Sequence, residues 1–215
     1  IFRALTQLLR DYDDRAALKV DFLKAQCLET IHGKLNTDEA NLQVVLEFLL
    51  ELLNNSATVQ EKFLQFNGYE KFFQALRYVR SPTNDFLQQW MLLMIDASTL
   101  QSDDLSRFAV DSFVILTNPH VARSLIRWVP YLNEPSQQRQ IVSFVERVVL
   151  RSPQNQMLAC FNGILAALLE ILAMEEPDVK PIDEEVLSKV LSLVANLSRF
   201  SIRPWEIRLI CRPFN

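Results

Sequence analysis

Apolar residues recur three and four positions apart along most of the chain, the spacing of an amphipathic α-helix. Ile1, Leu5, Leu8 and Leu9 share one stripe and predict a helix from Ile1 to Arg10, which "DYDD" interrupts. A second helix is predicted from about Arg15 to Lys34, with Leu18, Phe22, Ala25, Leu28 and Ile31 inward and Gly33 near its end. In "NTDEANLQVVLEFLLELLNN" Thr37 is a candidate N-cap, and Asp38 and Glu39 suit the positive end of the helix that follows. That helix is apolar at Leu42, Val45, Leu46, Leu49, Leu50 and Leu53, and Val44, Phe48 and Leu52 widen the stripe. So much apolar circumference predicts a helix sandwiched between neighbours, with Glu47, Glu51, Asn54 and Asn55 as its polar strip.

A short helix at Val59–Phe66, a corner at Asn67-Gly68, a medium helix at Tyr69–Val79, the break "SPTND" and a long helix from Asp85 to Leu100 come next. The same order returns after Pro153: Gln154–Asn162, Gly163, a medium helix to Met174, the acidic loop "EEPDVKP", and a long helix at Asp183–Phe200. Phe-Asn-Gly stands at both corners, 95 residues apart, with Gln60 or Asn155 eight places before each glycine. A glycine between abutting helices takes a left-handed conformation without strain, and the preceding asparagine tolerates that region better than most residues. The same offset aligns Leu46 with Ile141, Leu49 with Phe144, Leu50 with Val145 and Leu53 with Val148. It suits two helical repeats of about 40–47 residues. A degenerate middle unit is then expected: a short helix at Ser102–Leu116, a corner at Asn118-Pro119, a medium helix at His120–Leu132 and a long one at Ser136–Arg151.

The fold expected is all-α, a right-handed α-α superhelix of armadillo-like repeats. One solenoid fragment spans residues 1–215, with approximate units at 38–100, 102–151 and 154–200 and partial units at both ends. Composition agrees: the chain has three glycines, and 49% of its residues are hydrophobic. A formal charge of −4 argues against general nucleic-acid binding. No apolar run approaches the roughly 20 residues of a membrane span, the longest being broken by Glu47 and Glu51. The opening "IFRALTQLLR" begins inside a helical pattern and without Met, so the chain reads as a fragment of something larger.

The motif "NQxxxxxxGxxxxLLxxL" is met by Asn155, Gln156, Gly163, Leu168, Leu169 and Leu172, and more loosely by Gln60, Gly68, Phe73 and Leu76. In this the chain resembles armadillo repeats over roughly residues 38–200. From Trp128 onward, "LIRWVPYLNEPSQQRQIVSFVERVVLRSPQNQMLACFNGILAALLEIL" and "VLSLVANLSRFSIRPWEIRLI" are similar to the armadillo-like segment of BEACH-domain scaffolds. These are the large proteins related to neurobeachin and the lysosomal trafficking regulator. Cys160, Gly163, Ser201, Ile202, Glu206 and Ile207 occupy that family's positions, while Trp205 and the closing "CRPFN" depart from its pattern. The resemblance implies a non-catalytic protein-interaction segment, cytoplasmic or peripheral on endosomal, lysosomal or other vesicle membranes, in vesicle trafficking and autophagy. It also implies adjacent domains of the same chain and protein partners. A regulatory armadillo module of another scaffold, such as a formin-like actin regulator, is the alternative.

Little in the chain suggests chemistry. His32 and His120 lack metal-ligand spacing to cysteine, histidine or carboxylate, and suit a helix end and a helix start. Cys27, Cys160 and Cys211 lie in apolar helical patterns and read as buried reduced thiols. There is no nucleophile elbow, phosphate loop or zinc-protease motif. Asp103-Asp104, Glu175-Glu176 and Glu184-Glu185 suit loops or first turns, so no catalytic residue, metal, cofactor or small-molecule substrate is expected. A small hydrolase using Cys160 or Cys211 is the enzyme alternative. Stacked units instead offer a groove lined by their long helices. Its candidate residues are Glu47, Glu51, Asn54, Gln89, Asp96, Ser143, Arg147, Arg151, Ser192, Asn196 and Arg199, acidic first and basic last. Trp90 is followed four residues on by Met94, not by the asparagine of the nuclear-import ladder. The cluster Arg203, Trp205, Arg208 and Arg212, with Arg199 and Phe214, suits contact with an adjacent domain or with anionic lipid headgroups.

Overall fold

The structure is a computed structural model, and it describes residues 1–12, 14–24, 27, 30–31, 39–54, 56–95, 114–174 and 182–200. It is all-helical. Among the described residues there are eleven α-helices and no strand, only one isolated antiparallel bridge between Ile95 and Leu116. The chain divides into two compact units, Ile1–Leu93 and Met94–Asn215.

The first unit holds α1 (Phe2–Asp11), α2 (Arg15–Lys24), α3 (Glu39–Leu53), α4 (Ala57–Gln65), α5 (Gly68–Leu76) and α6 (Asn84–Leu93). As its wide apolar stripe requires, α3 is sandwiched, packing on α1, α4 and α6. Leu42, Leu46, Leu49, Leu52 and Leu53 are all buried, and Phe48 sits between the rings of Phe2 and Phe22, each centroid 5.6 Å away. Each such side chain taken fully out of water contributes about 1.5–3 kcal/mol. Trp90 of α6 stacks on Phe72 of α5 at 4.0 Å and meets Phe86 edge-on.

The second unit holds α7 (Pro119–Trp128), a 3-10 turn at Val129–Tyr131, α8 (Pro135–Val149), α9 (Pro153–Phe161), α10 (Ile164–Leu172) and α11 (Glu184–Leu197). Side chains start three of these helices. Asn118 Oδ1 accepts from the Val121 N–H at 3.3 Å, Ser152 Oγ from Asn155 at 3.1 Å, and Asp183 Oδ1 from Glu185 at 3.0 Å. In α10 every residue from Ile164 to Leu169 is buried, with α7, α9 and α11 packed around it.

Three successive helices recur 96 residues apart, end for end: α3 with α8, α4 with α9, and α5 with α10. Their backbone hydrogen bonds recur too. Asn54 to Leu50 matches Leu150 to Glu146, both at 2.9 Å; Asn67 to Leu64 (2.9 Å) matches Gly163 to Cys160 (3.2 Å). The left-handed residue of the first corner is therefore Asn67 (φ 55°, ψ 31°), and that of the second is Gly163 (φ 77°, ψ 25°). This corrects the expected offset by one and moves the left-handed role from Gly68 to its neighbour. Gly68 opens α5 for a different reason: a Cβ there would stand 2.6 Å from the Phe63 carbonyl oxygen and closer still to its ring carbons Cδ2 and Cε2. One glycine is required by backbone conformation, the other by close approach.

Further corrections concern ends and faces. Leu8 is exposed and Ile1 fully so, leaving Leu9 and Thr6 as the buried residues of α1. Leu18 and Phe22 are half-buried, whereas Lys19 beside them is buried. The second expected helix is seen as α2, Arg15–Lys24, and again as helical backbone at Cys27, Thr30 and the buried Ile31; Ala25, Leu28 and residues 32–34 lie outside the described residues. The long helix expected to Leu100 stops at Leu93, because Ile95 turns into the bridge and the Met94 carbonyl accepts from both the Thr117 and Asn118 N–H groups. The short helix expected at Ser102–Leu116 fails over its described end: residues 114–118 are non-helical, held as an extended segment by that bridge. Its remainder, with Thr37, Asp38 and the loop 175–181, lies outside the described residues.

Candidate interaction surface

The amide side chains before each corner have a shared job. Gln60 Nε2 donates to the Leu53 carbonyl at 2.9 Å, and Asn155 Nδ2 donates to the Val148 carbonyl at 2.7 Å, each seven residues back at the end of the preceding long helix. Orphan carbonyls at a helix end need such donors. Asn155 goes further. Fully buried, it also donates to the Val114 carbonyl at 2.9 Å and accepts from the Leu116 N–H at 3.1 Å, tying the extended segment to α8 and α9. Both roles are architectural.

The expected groove residues differ in exposure between the two units. Glu51 Oε1 takes Arg10 Nε at 2.6 Å, and Glu47 Oε1 accepts from Gln43 Nε2 at 3.3 Å. Asn54 is half-buried, and its carbonyl accepts from the ammonium of Lys19. That ammonium is held below its usual range by burial, partly offset by Glu51 and reinforced by Arg15. Gln89 donates to Asp85 on its own helix at 2.8 Å. Thus the acidic strip of the first unit serves largely inside it.

In the second unit Arg147, Arg151, Ser192 and Arg199 are exposed, and Ser143 and Asn196 half-exposed. Arg147 Nε and Asn196 Nδ2 reach carbonyls of their own helices, those of Ser143 and Ser192. Asp96, Arg203, Trp205, Arg208 and Arg212 lie outside the described residues, as do His32 and Cys211. Between α8 and α11, Arg139 pairs with Glu185 at 3.1 Å and Lys189 with Glu146 at 3.7 Å, so these charges are committed.

Cys160 is a buried thiol whose Sγ approaches the Leu197 carbonyl at 3.5 Å, while Cys27 is partly exposed, against expectation. His120, in the first turn of α7, is half-buried, and burial, then the neighbouring Arg123, holds it below its usual range. Among the described residues no group of three or more His, Cys, Asp or Glu side chains is placed to hold a metal ion. Among the described residues no single helix is long and apolar enough to cross a membrane; α9 and α10 together reach that length and composition, but they bend by 66° at Asn162-Gly163 and α10 is largely buried. What sequence reasoning missed is a partly buried basic stripe on α7 (His120, Arg123 and Arg127), legible only as the spacing i, i+3, i+7. No family model matches the chain, and no solved structure matches it.

Proposed function

We propose that the chain is an armadillo-like helical-repeat segment serving as a non-catalytic protein-interaction scaffold. The observation that carries this reading is the 96-residue recurrence of three consecutive helices, with matching ends, corners and backbone hydrogen bonds. Repeats of this kind bury their apolar faces on one another and leave polar helix faces for partners. The exposed side chains best placed for that role are Arg147, Arg151 and Arg199. The resemblance from Trp128 onward supports a BEACH-type trafficking scaffold as the parent protein, on or near vesicle and lysosome-related membranes. No residue is assigned to catalysis.

Two measurements test the two parts. If the reading frame continues past Asn215, a lectin-like β-sandwich followed by a BEACH domain is expected. Further armadillo units or an actin-nucleating module would sink the family assignment and leave the repeat reading standing. For the surface, reversing Arg147 and Arg151 to Glu should weaken any acidic partner bound by the intact chain. Unchanged affinity would remove those arginines from the interface.

A further inference from the structure

Helix α11 is apolar along two neighbouring rows. Val186, Val190, Leu193 and Leu197 form the buried row, packed on α8, α9 and α10. Leu187, Leu191 and Ala195, at i, i+4 and i+8, form an outer row that stands in solvent, with Leu187 37% and Leu191 50% exposed. At about 100° per residue the outer row lies on the flank away from α8. Glu185 and Lys189, which pair with Arg139 and Glu146 of α8, fall on the other side of the buried row. Ser188 and Ser192 stand exposed beside the outer row, and side chains this small let a second helix come close.

The charges at the two ends of α11 are opposite. Glu184 begins the helix and Arg199 lies in the turn that follows it; both are exposed, and neither forms an ion pair with a described residue. Glu184 stands seven positions before Leu191 and Arg199 eight after it. Two copies of α11 laid antiparallel about a two-fold axis at Leu191 therefore set Leu191 on Leu191 and Leu187 on Ala195. The same register brings each Glu184 opposite Arg199 of the other copy, on the same flank, whereas a parallel pair would bring like charges together. Such a contact is closed, because one patch serves both copies. We propose that the outer row of α11 is the contact of a two-fold homodimer, its occupant being α11 of a second copy. A single helix pair is small for a stable interface, so the association is of the weak, concentration-dependent kind. The dimer does not depend on which parent protein the chain serves.

Sedimentation equilibrium of the intact chain in reducing buffer, from about 5 µM to about 500 µM, reads this directly. A monomer–dimer equilibrium is expected, and it should be lost in the double variant Leu187→Asp, Leu191→Asp with the helical circular dichroism unchanged, since both leucines are exposed. Glu184→Arg or Arg199→Glu alone should weaken the dimer about tenfold, because each removes two ion pairs and sets like charges together. Combining Glu184→Arg with Arg199→Glu rebuilds both pairs and should restore the wild-type dissociation constant. A chain that stays monomeric throughout leaves this face to some other helix and overturns the proposal. Growth beyond the dimer, a dimer that survives the two aspartates, or one that the charge exchange fails to restore overturns it as well.

Discussion

Replacing Gly68 by alanine puts a Cβ 2.6 Å from the Phe63 carbonyl oxygen, where real Cβ atoms essentially never come within 3.0 Å. The obstacle is backbone, so at least ~0.4 Å must come from moving α4 against α5. The Phe63 ring offers little escape, because it packs edge-on against Tyr69 at 4.9 Å. Overpacking of this kind costs about 1–3 kcal/mol, and a rigid obstacle places Gly68→Ala near the upper end. Gly163→Ala is the instructive contrast. There the Cβ has ordinary room, 3.7 Å from Arg123, and the cost is the left-handed backbone at φ 77°, about 1–2 kcal/mol. A reading from backbone angle alone would rank them the other way, since only Gly163 among the described glycines has positive φ. Urea denaturation followed by circular dichroism, with each variant compared with the wild-type chain, gives the order. If Gly163→Ala loses as much stability as Gly68→Ala, the close-approach argument is wrong.

Three further outcomes are expected. Asn155→Ala leaves the Leu116 N–H and the Val114 carbonyl buried without partners and the Val148 carbonyl with only the Arg151 N–H at 3.4 Å, so a loss of about 3 kcal/mol should appear on denaturation, against about 1 kcal/mol for Gln60→Ala. His120 is depressed in the folded chain, so the unfolded chain binds the extra proton first as acid is added. Stability should therefore fall as pH drops from 6.5 through the folded value, and titration calorimetry or pH-dependent unfolding should show less of that fall in His120→Gln. Lys19 is depressed likewise, so stability should rise as pH climbs from the folded value toward 10.5, and Lys19→Met should abolish that rise in alkaline unfolding curves.

The helices were legible because their apolar faces are wide and periodic; α3, α8 and α10 follow their stripes closely. Both corners were legible as Phe-Asn-Gly, but not which residue turns left-handed, since the reason Gly68 follows Asn67 is the backbone of Phe63, a contact made only once α4 and α5 fold together. The end of the long helix after Asn84 and the extended segment at 114–118 were misread. The run Val114, Ile115, Leu116, Thr117 is rich in β-branched residues and turn-flanked by Asn118-Pro119, a signal for extended backbone that helical periodicity outweighed. Lys19 was passed over because a lysine beside apolar residues ordinarily snorkels to water, and its acceptor, the Asn54 carbonyl, lies 35 residues on.

For the interaction surface the difference between the units decides more than the list of polar residues does. A side chain already paired within its unit must give up that partner before it can serve another, which raises the cost of docking. Glu51 with Arg10, and Arg139 with Glu185, are in that position. Arg199 is exposed in the second unit. Rim arginines change encounter rates and salt dependence. A partner that recognises this unit should therefore be acidic. Raising salt should slow its association through the exposed Arg147, Arg151 and Arg199. Stopped-flow kinetics on one acidic ligand measures this, and a salt-insensitive association rate would show that the exposed arginines do not steer it.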